Sequence, residues 1–60
     1  MENKEQFCYF ICDAKTDLPL AVVDTYQEIM DFLDIKRTTT WKMIKKGAIV
    51  HGCYVEKVLL

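Results

Sequence analysis

The residues of this sequence best suited to a chemical task are bases in the second half of the chain. From Ile35 to Val55 there are five bases and no acid, whereas residues 1–34 carry eight acids and two lysines. Bases gathered on one surface can neutralise nucleic-acid phosphates. Lysines that keep a helix face solvated would give the same pattern, so the charges alone leave both interpretations open. The five bases are Lys36, Arg37, Lys42, Lys45 and Lys46.

Three cysteines and one histidine are the residues that could hold zinc, namely Cys8, Cys12, His51 and Cys53. On a strand, Cys8 and Cys12 would lie about 13 Å apart at about 3.3 Å per residue. Two thiolates on one zinc ion, each about 2.3 Å from the metal, are separated by at most about 4.6 Å. We therefore expect buried free thiols and no metal site. The chain has no serine and no glycine-rich phosphate loop, so we expect no catalytic residue, no cofactor and no enzyme.

The bases must be positioned by the segment 25–47, which has the pattern of two short helices. Thr25 followed by Glu28 is a capping box for the first helix. Gly47 is a favourable end for the second helix, because glycine enters the left-handed conformation without a steric cost. The short connector between the helices predicts a helix-turn-helix. The apolar stripe of the first helix, at i, i+3, i+4 and i+7, is Tyr26, Ile29, Met30 and Leu33.

Three further segments have the pattern of strands. Residues 7–12 are a continuous apolar run, which predicts a strand buried on both faces at the centre of a sheet. Residues 18–23 follow a polar turn and predict the second strand of a hairpin, with Pro19 at its start or on an outer edge. Residues 53–59 predict a closing strand. The expected fold is α+β, in the order ββααβ, with both helices on one face of a three-stranded antiparallel sheet.

We expect a single domain over residues 1–60, since this length is near the lower limit for one core. Residues 1–6 are expected to be disordered, 7–23 to form the hairpin, 25–47 the helix-turn-helix and 53–59 the last strand. The apolar residues predicted to share one core are Phe10, Val22, Ile29, Leu33, Ile35, Ile44 and Val55.

Composition sets expectations for compartment and assembly. No apolar run approaches the roughly 20 residues of a membrane helix, and the first residues lack the features of a secretory signal. An odd number of cysteines favours a reducing cytoplasm. A chain of 60 residues has too little interior for 52% apolar residues, so we expect a homodimer. The expected contacts are the sheet edges or the terminal Val58, Leu59 and Leu60.

The order and spacing of these parts also resemble a known family. The matching positions are Tyr9, the turn at Asp13, residues 24–28, residues 33–39, Ile44, Gly47 and residues 52–54. Over about residues 7–58 the chain resembles the nuclease-associated modular DNA-binding domains. These NUMOD-type helix-turn-helix modules accompany homing endonucleases and occur in phage and mobile-element proteins. The chain departs from the family at Met30, where the family has a small residue, at Asp34, where it has glycine, and at Thr40, where it has an apolar residue.

The resemblance implies that the second helix, about residues 37–46, enters the major groove of double-stranded DNA. Lys36, Arg37 and Thr38 would then lie at base edges, with Arg37 able to form a bidentate contact to guanine. Thr38 and Thr39 would bond phosphate or base. Lys42, Lys45 and Lys46 would neutralise phosphates.

Trp41 has two interpretations: a core aromatic over the sheet, or an exposed ring against a sugar or base. Two hypotheses for function also remain. One is a non-catalytic DNA-binding module that serves as a small regulator or accessory protein of a phage or mobile element. The other is a protein-interaction or self-association module with no nucleic-acid role. Neither requires a small-molecule substrate or a membrane.

Overall fold

The structure, a computed structural model, describes residues 6–60. Its elements are strand β1 (Phe7–Asp13), strand β2 (Pro19–Val23), helix α1 (Tyr26–Leu33), helix α2 (Arg37–Lys46) and strand β3 (Cys53–Leu59). The predicted order ββααβ and the α+β class are confirmed. The expected disorder of residues 1–5 lies outside the described residues. Gln6 is described, and its carbonyl accepts a hydrogen bond of 2.8 Å from the Leu60 N–H. Neither helix within residues 6–60 is long and apolar enough to cross a membrane.

The three strands form one antiparallel sheet in the order β2-β1-β3. The most apolar strand therefore takes the centre, as predicted, because a central strand has neighbours on both sides and little contact with water. Phe10 is paired with Val22 on one side and with Glu56 on the other. The pairing of β1 with β2 shifts between Ile11 and Cys12. Pro19 begins the edge strand β2, where its missing N–H breaks no ladder at the sheet centre.

Both helices cover the same face of the sheet and enclose the core. Ile29 and Leu33 of α1 and Met43 of α2 pack on the side chains that β1 and β3 direct toward the helices. Ile35 and Ile44 are partly buried against this cluster. The buried core residues are Tyr9, Ile11, Ile29, Leu33, Met43, Cys53 and Val55.

The prediction that Phe10 and Val22 belong to this core is wrong. Successive residues of a strand direct their side chains to opposite faces of the sheet. Ile11 lies in the core, so its neighbour Phe10 faces away from the helices, and Val22, which is paired with Phe10, faces away too. Val22 is consequently 56% exposed.

Local hydrogen bonds fix the ends of α1. The Glu28 N–H donates to Thr25 Oγ1 over 3.2 Å, and Glu28 Oε1 accepts from the N–H groups of Asp24 and Thr25. These N–H groups, of which that of Asp24 has the largest effect, hold the pKa of the Glu28 carboxyl below its ordinary value, because they stabilise the charged form. At the other end Asp34 adopts the left-handed conformation with φ of 56°, and the Ile35 N–H donates to the Met30 carbonyl over 3.1 Å. The chain then turns directly into α2.

Candidate nucleic-acid interface

Helix α2 has one buried side and one polar, basic side. Thr40 and Met43 are fully buried, each with 0% of its surface exposed. They lie three residues apart and so share one side of the helix. Every base predicted to contact DNA is exposed. These bases are Lys36, which precedes the first turn, Arg37, Lys42, Lys45 and Lys46.

The exposed side of α2 consists of two adjacent rows. Arg37, Trp41 and Lys45 follow one another at intervals of four residues, which is about 6 Å along a helix axis. Thr38, Lys42 and Lys46 form the second row by the same spacing. Thr39 is partly buried, at the border between this side and the core. The structure therefore brings together most of the side chains that the sequence predicted for a nucleic-acid contact.

Trp41 belongs to the exposed side, so its interpretation as a core aromatic is wrong. Its surface is 44% exposed. Thr40 and Met43 occupy the inward positions of this part of the helix, and Trp41 lies about 100° around the axis from Thr40. The indole is therefore available between two bases, Arg37 before it and Lys45 after it. A large, half-exposed aromatic beside bases suits stacking on a base or packing on a sugar.

Thr40 is buried where the family resemblance has an apolar residue, yet its hydroxyl is satisfied. Thr40 Oγ1 donates to the Lys36 carbonyl over 3.0 Å, and the Thr40 N–H donates to the same oxygen over 3.0 Å. Burial of a hydroxyl is costly only when the group lacks a partner. The side chain thus fills its place against the sheet while it fastens the first turn of α2.

Arg37 is held against an aromatic residue of the first helix. Its guanidinium carbon lies 5.9 Å from the centre of the Tyr26 ring, within the range of a cation–π contact. Tyr26 in turn meets Tyr9 edge to face, with 5.8 Å between ring centres. Burial and the neighbouring Tyr26 raise the pKa of the Tyr9 hydroxyl. The sequence carries no signal of this support for Arg37, since 11 positions separate the two residues and only the angle between the helices brings them together.

The first turn of α2 carries charges of the unfavourable sign for a free helix. Its N-terminal end is the positive end of the helix dipole, where acids stabilise and bases do not. This turn contains no acid; Arg37 lies in it and Lys36 lies directly before it. Lys45 and Lys46, in the last turn, suit the negative end. Bases at the positive end of a helix repel that end, and an unfavourable arrangement of this kind is typical of a functional site. A bound anion would relieve the repulsion between the two bases and the helix end.

Several acids of the first half are engaged elsewhere. Glu28 serves the cap of α1, and Asp31 Oδ1 accepts from the Gln27 amide over 3.0 Å. Asp13 accepts from backbone N–H groups of the hairpin turn. Asp17 accepts from the Tyr54 hydroxyl over 3.2 Å. Burial, then hydrogen bonds to Cys12 and Asp17, raises the pKa of Tyr54 to about 12.

The cysteines do not converge. Cys8, Cys12 and Cys53 are free and buried. Cys53 belongs to the core beneath the helices, whereas Cys8 and Cys12 follow the parity of Phe10 and face the other way. Within residues 6–60 no three side chains of the metal-binding types come together. His51 and Gly52, both with positive φ, form the turn that leads into β3.

Comparison of the chain with protein-family models, curated proteins and solved structures finds no match.

Proposed function

We propose that this chain is a non-catalytic DNA-binding module that inserts α2 into the major groove. The observation that carries the proposal is the exposed side of α2, which combines bases, a threonine and a half-exposed tryptophan and contains no acid. A helix of ten residues is about 15 Å long, and the major groove is about 12 Å wide and admits a helix. The groove walls are phosphates, which suit lysines at the margins of the helix.

The roles within this side follow from position. Arg37 begins α2 and is oriented by Tyr26, so it is the candidate for a bidentate contact to guanine. Thr38 lies beside it, and Trp41 follows one turn later. Lys42, Lys45 and Lys46, with Lys36 before the helix, would position the module on phosphates without reading sequence. Thr39 lies at the border of the core, so it would reach a phosphate only at the edge of the exposed side of α2.

The setting we propose is the cytoplasm, where three free thiols remain reduced. In line with the resemblance to NUMOD-type modules, the protein would act as a small regulator or accessory protein of a phage or mobile element. A solvated helix face would also explain exposed lysines. It would not explain an exposed tryptophan between bases, or two bases at the positive end of a helix.

The test is a titration of the labelled protein with random duplex DNA at low salt, followed through its amide shifts. We expect changes at residues 36–46 and none along β3. The variant Lys42→Glu with Lys45→Glu, once its amide spectrum has shown an intact fold, should lose binding. Lys45→Glu can be compared alone with Lys15→Glu, which makes the same charge change in the hairpin turn and should leave affinity nearly unchanged. Full binding by the folded double variant, or no binding by the parent protein, would refute the proposal.

A specific observation favours a second function, self-association. The sheet face opposite the helices is largely apolar, and within residues 6–60 no helix covers it. This surface is unrelated to α2.

A further inference from the structure

The sheet has a second face, directed away from both helices, which we call the open face. It carries the residues that face the same side as Phe10, namely every second residue of β1 and the residues regularly paired with them in β2 and β3. Of its residues within 6–60 Glu56 alone is a carboxylate and none is a lysine, arginine or histidine, while the Asp17 carboxylate that accepts from the Tyr54 hydroxyl lies at its end. Val22 is 56% exposed at its edge. Cys8 and Cys12 are on this face and are buried. The open face consists of Cys8, Phe10, Cys12, Val22, Tyr54, Glu56 and Val58.

We propose that the open face is the interface between two copies of this chain, packed sheet on sheet about a two-fold axis parallel to β1. The shape of the surface supports a second copy. One sheet face is complementary to another, and such pairs pack about 10 Å apart with their strand directions within about 30° of each other. The chemistry also supports it, because a largely apolar surface whose charged groups, Glu56 and Asp17, are carboxylates would repel phosphate. The inference is independent of the proposed DNA contact.

The area is sufficient for a weak dimer. Three strands span about 14 Å and seven residues span about 23 Å, so the face covers roughly 300 Å² in projection. Side chains that rise from a sheet expose more accessible surface than their projection. Leu20, at the irregular pairing of β2, is 51% exposed and extends the apolar area. Two copies would bury on the order of 1,000 Å², the lower limit of specific interfaces.

Glu56 decides the direction of the axis. It is the middle residue of β3, at the level of Phe10 and Val22. An axis perpendicular to the strands would stack β3 on its copy and bring the two Glu56 carboxylates together. An axis parallel to β1 stacks each β3 on the other copy's β2. Phe10 then meets its copy at the centre, while each Glu56 lies at the rim opposite Val22, where its charge stays hydrated.

Sedimentation equilibrium of the full chain from about 10 µM to about 1 mM tests the dimer. We expect a dissociation constant of roughly 10–100 µM, since an interface of this size is weak. Amide shifts that depend on protein concentration should be confined to the open face. A chain that remains monomeric over this range would overturn the proposal, and so would shifts confined to α2.

Substitutions at Val22 test the packing. Val22→Glu should weaken the dimer by about tenfold or more, because it removes an apolar contact and faces the partner's Glu56. Val22→Lys should weaken it less, since it meets that carboxylate with the opposite charge. The double variant Val22→Glu with Glu56→Lys should recover part of the dimer affinity that Val22→Glu alone loses.

Phe32→Glu is the matched control, because Phe32 is 49% exposed but lies on α1. It should leave the dissociation constant unchanged. Each variant is first checked for an intact amide spectrum, and Val22→Thr, which keeps the branched shape, replaces any variant that does not fold. An unchanged dimer in folded Val22→Glu, or equal effects of Val22→Glu and Val22→Lys, would overturn the proposed packing.

Discussion

Replacing Lys45 with glutamine should reduce the salt dependence of DNA binding by a calculable amount. Besides Arg37, which is assigned to guanine, four lysines lie on α2 or directly before it. If each lysine neutralises one phosphate, the logarithm of affinity falls with the logarithm of salt at a slope of about −3.6. Loss of one contact reduces the slope to about −2.7. Between 50 and 200 mM salt the parent protein should lose about 150-fold in affinity and the variant about 40-fold, by the same relation.

The assay is fluorescence anisotropy of a labelled random duplex at four or more salt concentrations. Lys45 is exposed in the last turn of α2, so glutamine leaves the core intact. Lys15→Gln is the control, since it removes the same charge from the exposed turn between β1 and β2. The control should keep the slope of the parent protein. Both variants should fold, and Lys45→Gln should lower the melting temperature by only a few degrees, because Lys45 lies at the negative end of the α2 dipole.

Two results would contradict this argument. Equal reductions of the slope by Lys15→Gln and Lys45→Gln would mean that net charge alone, and not the surface of α2, attracts DNA. A parent slope near zero would mean that phosphates contribute nothing to binding. Either result would favour the protein-interaction hypothesis.

Three further predictions concern stability. Glu28 has a lowered pKa, so its contribution to stability is fully present above the ordinary pKa of a glutamate and is lost as pH falls through the lower pKa of the folded state. Acid unfolding of Glu28→Gln should lack this component. Met43 is fully buried, so Met43→Ala should lower the free energy of unfolding in urea by about 2–5 kcal/mol. Asp34 has a positive φ of 56°, which glycine adopts more easily than alanine. Asp34→Ala should therefore be less stable than Asp34→Gly by about 1 kcal/mol, measured by thermal unfolding.

Local signals in the sequence were sufficient for the order and ends of the elements. The capping box at Thr25 and Glu28, the left-handed Asp34 and the glycine after α2 each act through neighbouring residues, so no tertiary contact is needed to predict them. The central position of β1 followed from its continuous apolar run. Asp34 fills the left-handed position because aspartate tolerates this conformation better than most residues.

The parts that failed depend on contacts between distant segments. The apolar character of Phe10 and Val22 was correct, but the side of the sheet that receives the helices decides which apolar residues form the core. In a run that is apolar on both faces, the sequence does not identify that side. Trp41 was ambiguous for the same reason: its size favours burial, whereas its angle around α2 depends on which residues meet the sheet.

The two proposed surfaces lie on opposite sides of the sheet, so their functions should be independent. The helices occupy one face and the second copy would occupy the other. Val22→Glu should weaken the dimer by about tenfold or more without a change in DNA affinity at low protein concentration. Lys42→Glu with Lys45→Glu should abolish DNA binding without a change in the dimer. A variant that alters both functions while folded would refute the separation.

The same geometry makes a prediction about the DNA target. A helix-turn-helix dimer that recognises a palindrome places both recognition helices on one side, about 34 Å apart. In the proposed sheet-on-sheet dimer each α2 lies outside its own sheet, and the two helices face opposite directions. A duplex with two inverted sites should therefore bind without cooperativity, whereas the dimer should link two separate duplexes. Capture of a labelled duplex by an immobilised one, reduced in Val22→Glu, is the measurement. Cooperative binding to a single palindrome would mean that both α2 helices face the same side, which excludes packing of the two sheets on each other about any two-fold axis.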